Sequence, residues 1–345
     1  MIDSVERTLE RIYPANAPEL PGLAFRGFQG ETDYPNILAV IRGCKQTDQI
    51  ERSETLEDIA RNYTHLHNCD PYQDMIFAEV GDQVVGYGRG WWEINADGRW
   101  LGFHLLFLLP DWRGKGIGRA ILWHNELRLR AIAGGLVRTG QLSAAAPRSF
   151  ETWNSDTEVE KKALLESEGY TAIRYGFHMV RSLDDPVEVI PLPEGLEVRP
   201  ALPDHYRTIW DAGQEAFQDH WNYIPEPEEE YQKLLLSPDF NPDLWQVAWD
   251  DDQVAGMVLN FINPEENREY RRERGYTEGI SVRRPWRRRG LARALLTRSL
   301  QMFKEMGMQE AALGVDSQNP NGALHLYETV GFRVVRRELV YRKDF

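Results

Sequence analysis

This chain contains itself twice, and a tandem repeat constrains its fold more than any single motif does. Leu23-Ala24-Phe25-Arg26 recurs as Leu196-Glu197-Val198-Arg199, and Asp82-Gln83-Val84-Val85-Gly86 recurs as Asp252-Gln253-Val254-Ala255-Gly256. The segment Leu108–Gly118, LLPDWRGKGIG, returns as Val282–Ala292, VRRPWRRRGLA, so that Arg113 answers to Arg287 and Gly116 to Gly290 at one common offset. Leu164–Tyr170, LLESEGY, then returns as Leu326–Phe332, LYETVGF, at a shorter offset. Shared order with a drifting offset marks a duplicated unit whose loops have changed length, and a period of this size decides the architecture before any local signal does. Over 345 residues it implies two domains of about 150–175 residues, each able to bury its own core.

The break falls in Ser182–Gly195, where three prolines interrupt any helical or strand period. The expected organisation is a first domain over residues 1–182, a linker over 183–195 and a second domain over 196–345. Each half reads as strand, two helices, β-meander, glycine-led helix, strand, helix and final strand, a mixed α/β fold. In the second half the strands are predicted at residues 196–201, 245–249, 254–262, 277–282, 311–315 and 332–341. Helices are predicted at 205–217, 228–236, 290–306 and 322–329.

Composition narrows the function. A formal charge of −14, from 40 basic and 54 acidic residues, repels phosphates and argues against a nucleic-acid partner for the whole chain. Against that acidic average, Arg268–Arg298 holds eleven arginines and only three acids, Glu269, Glu273 and Glu278, so a local anion site is expected there. Residues Met1–Arg11 alternate charges with isolated apolar residues and have neither the apolar core of a signal peptide nor a membrane span. Cys44 and Cys69, the two cysteines, have no ligand spacing, so a zinc site or disulfide framework is not expected and a reducing cytoplasm fits.

The motif that carries chemistry is the third repeat. A strand ending at Val282, a turn, and Arg287-x-x-Gly290-x-Ala292 at the head of a helix bring unpaired backbone N–H groups to a positive helix end. The small residues at 290 and 292 let that backbone approach a pyrophosphate closely. Taken alone, the pattern also fits a tightly turned strand-to-helix joint. Arg113-Gly114-Lys115-Gly116-Ile117-Gly118 has the same layout. With the repeat, Asn319, Ala323 and the LYETVGF segment, the chain resembles the GNAT acetyltransferase superfamily, whose signature here is Arg or Gln, x, x, Gly, x, Gly or Ala. The resemblance covers nearly the whole chain. It implies two tandem acyl-CoA N-acyltransferase domains, each a mixed, mainly antiparallel sheet flanked by helices, and in similar tandem members the C-terminal domain is the catalytic one.

The same resemblance implies acetyl-CoA as acyl donor, no metal, and direct transfer to an amine of a small molecule or peptide. Backbone groups of Ile280, Ser281 and Val282 would hold the acyl and pantetheine arm, and the amides of Arg288, Arg289, Gly290, Leu291 and Ala292 the pyrophosphate. Side chains of Arg287–Arg289 would reach the remaining phosphates, and Asn319 belongs to the same cofactor-binding set. Tyr327, early in the last helix, would face the coenzyme sulfur. Proton transfer from a phenol to a thiolate is uphill by ~1.5 units, roughly 2 kcal/mol, so Tyr327 is expected to act largely as a hydrogen-bond donor, unless it is simply a core aromatic. Glu278 is the candidate base, acting through water. Gly279 beside it hints at a bulge that would turn Glu278 into the cleft, the alternative being an ion pair with a nearby arginine. Asp219, His220 and Trp221 stand where an acceptor pocket would form, Glu228–Glu230 read as a charged first helical turn, and His325 as an exposed helix residue.

The copies are not equal. His104 stands opposite Glu278, and Leu165, which donates no proton, opposite Tyr327. The first domain is therefore expected to be degenerate, with Arg113, Gly116 and Gly118 binding acyl-CoA weakly or serving structure alone, and His104 to be buried and satisfied. A monomer with an internal pseudo-dimer, or a homodimer, is expected, without a membrane partner. The rival reading is a noncatalytic acyl-CoA sensor or scaffold.

Overall fold

The repeat is visible in the order of elements. In the computed structural model, which describes residues 11–319 and 321–345, the first half begins with β1 (Arg11–Ile12), β2 (Leu23–Arg26), α1 (Tyr34–Asp48), α2 (Leu56–Thr64) and a single turn α3 (Pro71–Asp74). It continues through β3 (Met75–Val80), β4 (Gln83–Ile94), β5 (Trp100–Leu108), α4 (Ile117–Arg138), β6 (Arg148–Ser155), α5 (Val159–Ser167) and β7 (Thr171–Ser182). The second half runs β8 (Glu197–Arg199), α6 (Tyr206–Phe217), α7 (Glu228–Leu236), β9 (Gln246–Asp250), β10 (Gln253–Phe261), α8 (Pro264–Tyr270) and β11 (Arg274–Val282). It ends with α9 (Leu291–Glu305), β12 (Glu310–Asp316), α10 (Ala323–Thr329) and β13 (Arg333–Asp344). The reading of the N-terminal stretch as free of a targeting core concerns residues that, up to position 10, lie outside the described part.

Every strand and helix predicted for the second half is present within a few residues. Helix α8 was not predicted, because PEENREY has no apolar period. It is held by its ends instead: Asn263 caps it by accepting the Glu266 N–H at 2.8 Å, and Pro264 occupies its first turn.

The chain forms two compact units, one comprising the residues up to Ile173 together with Leu339–Phe345, the other Arg174–Glu338. In the first unit the strand order is β1-β2-β3-β4-β5-β6 followed by the Leu339–Asp344 part of β13. The neighbours from β1 to β5 are antiparallel, and β5 and β6 are parallel. In the second unit the order is β8-β9-β10-β11-β12 followed by the Arg174–Ser182 part of β7, with β11 and β12 the parallel pair. Each unit therefore takes its last strand from the other repeat. Leu183–Gly195 carries no helix or strand, yet it is tied to the second unit by Ile190 N–H donating to Thr297 Oγ1 at 3.1 Å.

Helix α9 positions the site. Leu291, Ala294, Leu295, Ser299, Leu300 and Phe303 are all buried, a spacing of three and four that puts one face on the sheet. Burial of a side chain such as Phe303 contributes about 2–3 kcal/mol, so this face fixes the helix while its N-terminus points past the end of β11.

Candidate active site

The site opens where β11 leaves its parallel neighbour. The two strands are paired from Arg274↔Glu310 to Tyr276↔Ala312, and beyond that side chains bridge the gap. Thr277 Oγ1 donates to the Ala312 carbonyl at 3.3 Å, and Gly314 N–H donates to Glu278 Oε1 at 3.3 Å. On its other edge β11 is bulged: Met257 pairs with Ser281, but Leu259 pairs with Glu278. Gly279 and Ile280 thus face a single residue of β10. Gly279 has φ +56, a left-handed conformation suited to glycine, and the extra residue breaks the strict alternation of side chains.

A cavity of about 990 Å³ occupies this opening. Glu278, Ile280, Ser281, Val282, Arg287, Arg288, Gly290, Leu291, Ala292, Asn319 and Tyr327, all singled out from the sequence, line it. Arg289 does not, because its guanidinium donates to the Glu194 carbonyl at 2.7 Å. Gly290 is the N-cap of α9 with φ 84 and no side chain to satisfy the first amides. A Cβ placed on it would meet nothing within 4 Å. The head of α9 is thus open to an anion, with Arg288 and Arg293 also on the lining.

Arg287 plays a different part from the one its place in the motif implies. Its Nε donates to the Val282 carbonyl at 2.9 Å, its Nη2 to the Ala216 carbonyl at 3.0 Å and its Nη1 to Asp219 at 2.5 Å. Arg113 repeats this in the first unit, donating to the Leu108 carbonyl at 3.0 Å and to both oxygens of Asp48 at 2.6 and 3.0 Å. The motif arginine is a brace between strand end and first helix in both copies.

Two titratable side chains meet in the cavity. Burial pushes the Glu278 carboxyl up to about 7, against the opposing pull of the Gly314 N–H and of His178. Burial, and then the charge of Glu278, push the Tyr327 phenol above its ordinary value, so it stays protonated. Asp219 is held well below the usual carboxylate range by hydrogen bonds from Arg284 and Arg287. It therefore serves the brace, while its neighbour His220 lines the cavity with Phe217. Arg174 stacks over Trp221 at 4.9 Å and pairs with Asp316 at 2.5 Å. Glu228 and Glu230 are taken up by Arg207 and Lys233, and His325 is exposed. Sequence reasoning missed Gly314 and His178, since nothing in local spacing signals that a residue of β7 lies beside β12.

The first unit has the same frame around a smaller cavity, about 390 Å³. The Gly86↔Leu108 to Ile94↔Trp100 pairing of β4 and β5 is unbroken, so there is no counterpart of the bulge. His104 is buried, with Nε2 2.8 Å from the Tyr170 hydroxyl, which donates to Glu126 at 3.0 Å. Burial lowers its pKa to about 3, which leaves it neutral and in the core. Leu165 is buried as well. A Cβ on Gly116 would lie 3.3 Å from Pro18 Cβ, so the first phosphate-loop counterpart is covered where the second is open.

This fold and site define an acetyltransferase class. Residues 206–332 match the acetyltransferase (GNAT) family and residues 71–171 the acetyltransferase (GNAT) domain, and the chain belongs to the GNAT family as a tandem member. Among curated relatives, mycothiol acetyltransferase of Propionibacterium freudenreichii is 29% identical over 330 residues, covering 90% of this chain and 88% of that protein. Mycothiol acetyltransferase of Streptomyces scabiei is 26% identical over 274 residues, covering 78% and 79%. Among solved structures, a GCN5-related N-acetyltransferase from Sphaerobacter thermophilus superposes with TM-score 0.70 at 25% identity, covering 94% of this chain and 97% of that one. A tandem GNAT protein from the clavulanic acid biosynthesis pathway, at 17% identity and TM-score 0.59 over 93% and 98%, shares the fold. Among the described residues no group of His, Cys, Asp and Glu is arranged to hold a metal, and no helix is long and apolar enough to cross a membrane.

Proposed function

We propose that the second unit transfers an acetyl group from acetyl-CoA directly to an amine of a small-molecule acceptor. The observation that carries this reading is that Glu278 and Tyr327, brought from different elements, line one cavity with the open head of α9. The amides from Arg288 to Ala292 hold the pyrophosphate, as helix N-termini do, with Arg288 and Arg293 beside them. The exposed edge of β11 at Ile280–Val282, freed where β12 departs, holds the pantetheine arm and polarises the thioester carbonyl. Glu278 takes the proton that an ammonium must lose before it attacks, through water. As the new C–N bond forms and the C–S bond breaks, the Tyr327 hydroxyl donates a hydrogen bond to the departing thiolate.

The phenol's raised pKa favours hydrogen bonding over full proton transfer. Arg287 acts as the brace that fixes the loop. The relatives called mycothiol acetyltransferase favour a small-molecule acceptor over a peptide terminus, and free Cys44 and Cys69 fit a reducing cytoplasm. The test is coenzyme A release from acetyl-CoA with a panel of small amines, amino-thiols and amino sugars included. Turnover with at least one amine, lost in Glu278→Gln, is expected. Coenzyme binding without turnover on any of them favours the sensor reading instead.

A further inference from the structure

We propose that His178 is a proton relay for Glu278, carrying to solvent the proton that Glu278 accepts from the acceptor's ammonium, with Glu338 holding the imidazolium that forms in between. The proposal rests on the reading of Glu278 as the base. His178 comes from β7, the strand that the first repeat lends to the second unit, and it pairs directly with Gly314 of β12. Gly314 is the residue whose N–H donates to Glu278 Oε1. A Cβ built on Gly314 would point at that same oxygen, at 3.9 Å. Side chains of directly paired residues share a face of the sheet, with Cβ positions about 5 Å apart. His178 therefore projects on the face where the Glu278 carboxylate lies, and the missing side chain of Gly314 leaves room for a bridging water.

The far side of His178 leads outward. Its Nε2 is 3.5 Å from Glu338 Oε2, with side-chain exposures of 39% and 44%, so a proton that reaches the imidazole can pass to solvent there while coenzyme and acceptor fill the cavity that Glu278 lines. The balance is simple: Glu278 gains a proton from the ammonium and returns to carboxylate as His178 is protonated, and His178 returns to neutral as solvent base takes the proton. The charged and titratable groups around this path are Tyr327 from α10, His220 from α6, Asp316 of β12 in its pair with Arg174 of β7, Arg293 from α9 and Glu338 from β13.

The first unit supplies an internal control. By the offset that joins Glu166 to Glu328, Gly314 corresponds to Thr152 and His178 to Val340. The copy that has His104 for Glu278 and Leu165 for Tyr327 has therefore lost the glycine gap and the relay together.

The test uses the full chain in two arms. In the first, which needs no acceptor, the ring signals of His178 are followed by NMR at one fixed pH in wild type, Glu278→Gln and Glu338→Gln. They are expected to move in each variant, because each removes a carboxylate charge beside the ring. Unmoved His178 signals in Glu278→Gln overturn the relay. In the second arm, His178→Gln is assayed with acetyl-CoA and the best amine of the panel. A loss of about tenfold in kcat at pH 7, with KM for acetyl-CoA unchanged and activity restored by added imidazole, is expected for a lost proton carrier. Wild-type kcat in His178→Gln beside an inactive Glu278→Gln overturns the relay and leaves the base standing. Full activity in Glu278→Gln removes the base assignment, and the relay with it.

Discussion

At the scale of single residues, the site depends on two protons held in opposite ways. A carboxyl pushed up to about 7 is protonated below that pH and able to accept a proton above it. The rate at low substrate should therefore rise as pH increases through about 7, and Glu278→Gln should abolish that limb while lowering kcat/KM by about 10²–10³-fold. A pH profile of both enzymes with one amine checks this. Tyr327 is buried, with its ring against Phe332 at 6.3 Å, so Tyr327→Phe keeps the packing and removes only the hydroxyl. A single hydrogen bond in the transition state is worth about 1–1.5 kcal/mol. The expected result is a loss of about tenfold in kcat with little change in KM for acetyl-CoA, and an unchanged kcat would dismiss the donor role.

At the scale of elements, the bulge in β11 separates the strand that carries Glu278 from the strand that carries His104. Strand β5 makes the same turn into the same kind of helix, but its unbroken ladder leaves His104 in the core. The bulge was hinted at in the sequence by Gly279 beside Glu278, although an ion pair of Glu278 with a nearby arginine fitted the same residues. The parting of β11 from β12 was not, since it depends on which strands are neighbours. Gly279 has φ +56 and a Cβ there would lie 3.1 Å from Leu259, so a β-branched residue is strained at about 1–3 kcal/mol. Gly279→Val should shift the strand toward the regular pairing of β5 and turn Glu278 away from the cavity. We expect kcat to fall to the level of Glu278→Gln, with Tm lowered. Gly279→Asn, which tolerates left-handed backbone better, should retain more of both. Wild-type kcat in the valine variant would show that the bulge does not aim Glu278.

At the scale of the whole molecule, duplication was plain from four ordered matches, whereas the exchange of last strands left no trace in the sequence. β7 and β13 have the same place in their repeats, and either could close either sheet as far as hydrophobic pattern is concerned. His178 could not be found for that reason: it is far from Glu278 along the chain and belongs by repeat to the other copy. The inequality of the copies was legible at Leu165, and the structure adds physical reasons for it. Pro18 covers Gly116, and Phe107 stands where the second unit has Ser281, in a cavity less than half the size. Calorimetric titration with coenzyme A should therefore give one tight site per chain. Ala292→Asp places a carboxylate in the first turn of α9, where it suits the helix and competes with the phosphates, so it should abolish that site with the fold intact. Lys115→Glu, at the corresponding loop of the first unit, should leave the stoichiometry at one. Two sites of similar affinity in the wild type would mean that the first unit still binds the coenzyme and that only its chemistry has been lost.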